Sequence, residues 1–447
     1  MRRELIAGTE VPAPHLKESL LNTAVEVPAA HLRSPCSTRQ LQSCGAGTSV
    51  AGGGTARKSP LYFAWPLADC PSERYNWYVP TLKDVLDERT RAAAGELSER
   101  IDEKRIRCLA CGHRCPIPEG AVGVCKVRGV RNGELYGPWG YVGGVQCDPI
   151  EKKPFFHAVP GALAFSFGML GCDLHCSYCQ NWVTSQALRD PEAVALPRAA
   201  TPETLVRAAL DEGARVMVST YNEPLITAEW GVAIFKAARE AGLMTGFVSN
   251  GNGTPQVLDY LRPHIDLYKV DLKSFNDRRY RELGGRLEPI LETIRHLHAS
   301  GVWVEIVTLL IPGFNDTDDE ITRLTEFIAS VSADIPWHVT AFHADYHMTA
   351  PGNTTPEMLI KAAAIGGRAG LRYIYAGNLP GRVGTLEDTC CVACRRVLIS
   401  RYGYLIKTYD VTPDGRCPDC QAHVPGRWAA SFARQRTARP FLPVVRA

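Results

Sequence analysis

Residues 162–182 read ALAFSFGMLGCDLHCSYCQNW. The first nine are almost continuously apolar, which suits a strand buried on both faces. Three cysteines follow at once: Cys172, Cys176 and Cys179, spaced C-x3-C-x2-C. A tetrahedral ion or a cubane cluster ordinarily takes four protein ligands, and no fourth thiol lies close by. Three thiolates on an iron–sulfur cluster leave one iron open to a substrate. The same logic separates catalytic from structural zinc sites. A three-cysteine zinc site completed by His175 or by a distant residue is the other reading. His175 lies between the first two cysteines, where one turn of chain rarely lets it converge with both.

From this strand onward, apolar runs alternate with amphipathic segments. Strands are expected at 162–170, 214–220, 244–250, 266–273, 303–311, 336–343 and 372–377. Helices are expected at 202–213, 226–242, 254–261, 287–301, 318–331 and 355–370. This alternation predicts βα units on a parallel sheet. Six or seven units fall short of a closed eight-unit barrel, so the expected fold is α/β, a partial (β/α)6-type parallel barrel. Ligands then belong at the carboxyl ends of the strands, where the cysteine loop stands.

The reading divides the chain into a flexible low-complexity tail (1–75), a Cys-rich segment (76–160), the partial barrel (161–385), a zinc-ribbon-like module (386–430) and a short tail (431–447). EVPAPHL at 10–16 recurs as EVPAAHL at 26–32, before a Gly/Ala/Ser/Thr tract. Such a composition buries little apolar area. Residues 82–104 read as a charged helix. Fifty basic and 47 acidic residues give a net charge of +3, no electrostatic case for nucleic acid or a membrane surface. With no long apolar run and no secretory signal, a cytoplasmic location is expected.

The spacing of the cysteine loop, with Tyr178 before the third cysteine, resembles the radical S-adenosylmethionine (SAM) superfamily. The resemblance implies a [4Fe–4S] cluster on Cys172, Cys176 and Cys179, with SAM chelating the open iron. An electron from the reduced cluster then cleaves the sulfonium C–S bond, and the 5′-deoxyadenosyl radical takes a hydrogen atom. It also implies SAM contacts at the ends of later strands. In TYNEP (220–224), Asn222 and Glu223 would accept from the SAM amino group, although the glycines usual in that motif are missing. In VSNGN (248–252), Ser249 or Asn250 could bond the ribose or carboxylate. In VDLKS (270–274), Lys273 would bond the SAM carboxylate and Asp271 would belong to a cation site, as in glycyl-radical activating enzymes. Leu309, Leu310 and Ile311 could flank the adenine, with Tyr178 across from them. His338 aligns with a SAM-contacting histidine, though an ordinary core histidine fits equally. His338 and His343 differ by an odd number and face opposite sides of a regular strand.

Eleven of the 16 cysteines fall in three groups, at 108–125, 172–179 and 391–420. Cys108, Cys111, Cys115 and Cys125 form C-x2-C-x3-C-x9-C, which could hold zinc, a second iron–sulfur cluster or no metal. Cys391, Cys394, Cys417 and Cys420 form C-x2-C-x22-C-x2-C, the pattern of a zinc ribbon. Cys390 could stand in for Cys391 if the register slips. The first group, then DPIEKKPFFHAVPG (148–161), then the cluster loop followed by Gln180, Asn181 and Trp182, is similar to the AmmeMemoRadiSam-system radical SAM family, related to pyruvate formate-lyase activating enzyme-like proteins. That resemblance implies partner proteins of AMMECR and Memo type and an electron donor. DPIEKKPFFH reads either as a solvated turn or as a segment shielding the cluster. The expected cofactors are a [4Fe–4S] cluster, SAM and Zn2+. A multi-zinc scaffold without radical chemistry is the alternative.

Overall fold

The computed structural model describes residues 81–428. The repeated EVPA segment, Cys36, Cys44, Cys70 and the tail at 431–447 lie outside the described residues.

An eight-stranded sheet organises the chain. Its strands are β1 (Gly144–Pro149), β2 (Leu163–Gly168), β3 (Val216–Ser219), β4 (Met244–Ser249), β5 (Leu267–Asp271), β6 (Trp303–Leu310), β7 (Trp337–Ala341) and β8 (Ile374–Gly377). Spatial order follows chain order. Strands β2 to β8 run parallel, and β1 and β8 form the two edges. The seven expected strands are therefore present on an open, partial parallel sheet. Missing from the expectation is β1, which pairs antiparallel with β2 from Gly144↔Gly168 to Pro149↔Leu163. Its sequence, GVQCDP, has neither the apolar run nor the alternation that would mark it.

Six helices, α1 (Pro202–Asp211), α2 (Ala228–Glu240), α3 (Pro255–Leu261), α4 (Glu288–Ala299), α5 (Asp318–Val331) and α6 (Pro356–Arg368), cross between consecutive parallel strands. Three of them start on the same device. Thr201, Thr254 and Thr355 accept a backbone N–H in the first turn, and proline follows each at the first helical position. The threonine satisfies an otherwise orphaned donor, and the proline has no N–H to orphan. Each cap is worth about 1 kcal/mol. Each helix turns an apolar stripe inward. Ile290, Ile294 and Leu297 of α4 and Ile321, Leu324 and Ile328 of α5 join the central core, beside Tyr268 and Ile306 of the strands.

The charged helix expected over 82–104 ends at Asp87. Thr90–Ala92 instead pairs with Glu134–Pro138, and Ser98–Arg100 pairs with Arg105–Cys108. Strand partners later in the chain override a weak local helical preference. At the other end, β9 (Thr389–Cys390), β10 (Val397–Tyr402) and β11 (Leu405–Tyr409) make an antiparallel sheet carrying the expected hairpin. Leu398, Ile399 and Val411 share a core with Phe156, Tyr373 and Tyr375.

Candidate functional site

The carboxyl ends of the parallel strands surround a cavity of about 500 Å³, well within the range of small-molecule sites. Cys172, Cys176 and Cys179 all line it. Gly171, just ahead of them, has φ +93°, and a Cβ there would stand 2.9 Å from Val127 Cγ1 and 3.1 Å from the Cys125 carbonyl. Only glycine lets the chain turn there against the Cys-rich segment. Burial pushes the Cys176 thiol up to about 12, so a metal must displace its proton to be bound. Ser185 Oγ lies 3.1 Å from Cys179 Sγ. His175 is exposed and turns toward Gly284, away from the cavity. The zinc reading completed by His175 therefore has no geometric support.

Glu223, in the TYNEP stretch, is buried against the cavity. It accepts from the Leu225 N–H (3.0 Å), Ser249 Oγ (2.7 Å) and the Asn250 N–H (2.8 Å). Asn250 donates in turn to Asp173 Oδ1 (2.7 Å), and Asn252 donates to Asp173 Oδ2 (2.7 Å). Thus the ends of β3 and β4 are locked to the residue after Cys172. Asn222 also lines the cavity, but its amide is engaged internally: Oδ1 accepts from the Met169 N–H (2.9 Å) and Nδ2 donates to the Glu223 carbonyl (3.1 Å).

At the end of β5, Asp271 contacts Lys269 and lies 3.5 Å from Lys273 Nζ. Burial alone would lower Lys273, but the Asp271 carboxylate and the Cys176 sulfur hold its ammonium well above the usual lysine range. All three side chains line the cavity. Lys269 was not anticipated. It alternates with Asp271 on one strand face, a period-2 signal available in DLYKVDLK. Leu309 and Tyr178 reach the cavity, whereas Leu310 enters the central core and Ile311 packs beside Tyr178 without lining the space.

His338 is not in this cavity. It is buried, bonds Glu305 Oε2 at 2.7 Å and stacks on Tyr375. It lies at the start of β7, away from the strand-end cavity, so in place of the expected SAM contact it makes a buried hydrogen bond to Glu305. His343 lies beyond the end of β7, exposed and bonded to Gln180.

DPIEKKPFFH is not a solvated turn. Asp148, Glu151 and Lys153 are each under 5% exposed, and Lys152, Lys153 and Pro154 line the cavity. His157 is turned away and bonds Tyr375 and the Pro425 carbonyl. Lys153 Nζ bonds Asp148 (3.0 Å) and the Tyr221 hydroxyl (3.1 Å), which also bonds Ser166 (2.7 Å) and Gln146 (3.2 Å). Tyr221 holds φ +70°, uncommon for a residue with a side chain. Tyr404, from the turn between β10 and β11, completes this wall. No sequence signal linked Tyr404 to a loop some 230 residues earlier.

Cys391, Cys394, Cys417 and Cys420 have ligand atoms all within 4.8 Å of one another, the one such group among the described residues. Sγ of Cys391 and Cys420 are 3.5 Å apart, and those of Cys394 and Cys417 are 3.6 Å apart. A single tetrahedral ion with ligands at about 2.3 Å requires nearly this spacing. Cys391 and not Cys390 completes the set.

A partial parallel barrel with three thiols, an acid and a lysine around one cavity at its strand ends defines a cluster-and-cofactor protein of the radical SAM type. The Radical SAM superfamily model matches residues 168–328. An uncharacterized protein of Methanocaldococcus jannaschii, MJ0808, is 34% identical over 325 residues, covering 72% of this chain and 96% of that one. A pyruvate formate-lyase-activating enzyme of Staphylococcus aureus is 26% identical over 185 residues, 39% of this chain and 72% of the relative. Among solved structures, a domain of a pyruvate-formate lyase-activating enzyme from Bacteroides vulgatus aligns at 20% identity with a TM-score of 0.32, covering 36% of this chain and 98% of that one. The chain belongs to the radical SAM superfamily. Among the described residues, no helix is long and apolar enough to cross a membrane.

Proposed function

We propose that this chain cleaves SAM reductively and directs the resulting radical at a hydrogen atom of a second molecule. The observation that carries the reading is the convergence of Cys172, Cys176, Cys179, Glu223 and Lys273 on one cavity. The donor set fits the group: three thiols on an eight-residue stretch and no fourth among the lining residues leave one iron of a [4Fe–4S] cluster free. When bound, the cluster supplies the electron that breaks the sulfonium C–S bond and yields the 5′-deoxyadenosyl radical. The protein's own part is binding and orientation. Glu223 accepts from the SAM amino group, Lys273 donates to its carboxylate, and Tyr178 and Leu309 flank the nucleoside. Asn222, Ser249, Asn250 and Asp173 hold these groups in place. Gln146, Lys152, Lys153, Tyr221 and Tyr404 face the molecule that loses the hydrogen. In this reading the four C-terminal thiols hold structural zinc.

The similarity to pyruvate formate-lyase-activating enzymes supports a glycyl backbone of a partner protein as one hydrogen donor; a small molecule is the other. Partners of AMMECR and Memo type, membership of the AmmeMemoRadiSam group and a separate electron donor belong to the same proposal. The test is anaerobic incubation of the reconstituted protein with SAM, dithionite and deuterated candidates. Expected are 5′-deoxyadenosine from the native chain, deuterium in it from the true donor, and neither from Cys176→Ala. A colourless, zinc-only protein that leaves SAM intact would overturn the reading.

A further inference from the structure

The cysteine group at 108–125 has no part in the cavity, yet it is built against the cluster loop. Cys108 closes the strand Arg105–Cys108, and its N–H donates to the Cys115 carbonyl at 3.0 Å. The loop between them carries Cys111. A turn at Gly123, whose N–H donates to the Arg128 carbonyl at 2.8 Å, returns Cys125 to the group. Cys108, Cys111 and Cys125 are each 5% exposed, and Cys115 is half-buried. Cys108 and Cys115 pack in one buried cluster, and Cys111 and Cys125 pack together against Ile226.

One further feature points to a ligand among these thiols, and a second bears on its kind. The first is Arg128, 1% exposed and three residues after Cys125. Its terminal nitrogens bond Glu229 and the Ile226 carbonyl, but its buried Nε has no partner. Buried N–H groups ordinarily find an acceptor, and the sulfides of a cluster held by the neighbouring thiols are acceptors of the right charge. The second is spacing. The C-terminal thiols stand at single-ion distances, whereas this quartet does not gather within 4.8 Å among the described residues. One ion at about 2.3 Å from each sulfur holds four thiolates about 3.8 Å apart. A cubane carries each thiolate on a different iron, at the corners of a larger body.

We infer that Cys108, Cys111, Cys115 and Cys125 bind a second [4Fe–4S] cluster, distinct from the one at the SAM cavity. It borders the first through short contacts. His113 Nε2 donates to the Asp173 carbonyl at 3.2 Å, and the Cys125 carbonyl abuts Gly171. All four of its ligands are protein thiols, so it has no open iron and binds no SAM.

The full chain is reconstituted anaerobically with iron and sulfide, and metal is counted by mass spectrometry. The native chain is expected to hold about eight irons, and C172A/C176A/C179A about four. On dithionite reduction that variant is expected to give a paramagnetic cluster signal that SAM leaves unchanged. C108A/C111A is expected to lose that signal and keep the one that SAM perturbs. About four irons in the native chain, an iron-free triple variant, or a second zinc in place of iron each overturns the inference. Failure of the SAM reading looks different: the triple variant keeps its cluster, while the native chain binds no SAM.

Discussion

The Asn250 side-chain amide donates to Asp173 Oδ1 at 2.7 Å, joining the end of β4 to the residue that follows the first cluster-loop cysteine. With Asn252 on the other carboxylate oxygen, this one buried acid ties the loop to the barrel. Asp173→Ala leaves both amides without their acceptor, and each unsatisfied buried group costs about 1–3 kcal/mol. A lower urea midpoint and faster loss of iron from the reconstituted protein are expected. Unchanged values for both would refute the tie.

Glu223 sets part of the pH dependence of stability. Burial, and then the charge of Asp173, push its carboxyl up to about 8 from an ordinary 4.5, against three hydrogen-bond donors. Between those values the folded chain binds more protons at this site than the unfolded one. The contribution is complete below pH 4.5 and is lost as pH rises through about 8. Urea midpoints of the metal-free chain should decline over that range, and Glu223→Gln should flatten the decline. An identical slope in the variant refutes the assignment.

Lys273 should matter for SAM affinity. A hydrogen bond to a charged group is worth about 1.5–3 kcal/mol, so Lys273→Met should weaken SAM binding by about 10- to 100-fold. Equilibrium dialysis on the cluster-loaded chain measures this. A change under about twofold would remove Lys273 from the binding set.

Arg128 and Glu229 form a buried two-point ion pair, with both bonds at 2.7 Å. Glu229→Ala leaves the guanidinium charge uncompensated, which costs about 3–5 kcal/mol in comparable buried pairs. Chemical denaturation should show that loss, and a variant as stable as the native chain would contradict it.

Stripping metal from the C-terminal thiols should disturb the strand-end cavity as well as the C-terminal sheet. Arg401 of β10 donates to the Phe156 carbonyl at 3.0 Å, and Tyr404 lines the cavity. Cys417→Ser with Cys420→Ser is expected to lower the melting temperature and to raise protease sensitivity at 397–409. Independence of the two regions would appear as an unchanged melting temperature with a nicked ribbon.

The seven parallel strands and six crossing helices were legible because each is announced locally. The helices carry an apolar stripe at 3.6-residue period, three of them with Thr-Pro starts, and the strands are short continuous apolar runs. The cluster loop was legible because its three thiols lie within eight residues of one another, and the four ribbon thiols because two C-x2-C pairs are a local pattern. By contrast, β1 has no apolar signature, and the helix expected over 82–104 gave way to strand partners near 105 and 135.

The order of elements, the strand-end location of the ligand-bearing loops and the identity of the thiol groups follow from the amino-acid sequence alone, since each depends on neighbours along the chain. The tertiary structure decided that His338 bonds Glu305 in the core and that Lys153, Tyr221 and Tyr404 share a wall. It also decided that one thiol quartet stands at single-ion spacing and the other does not. Those outcomes depend on the direction of side chains from segments tens to hundreds of residues apart, which packing sets and local periodicity does not encode.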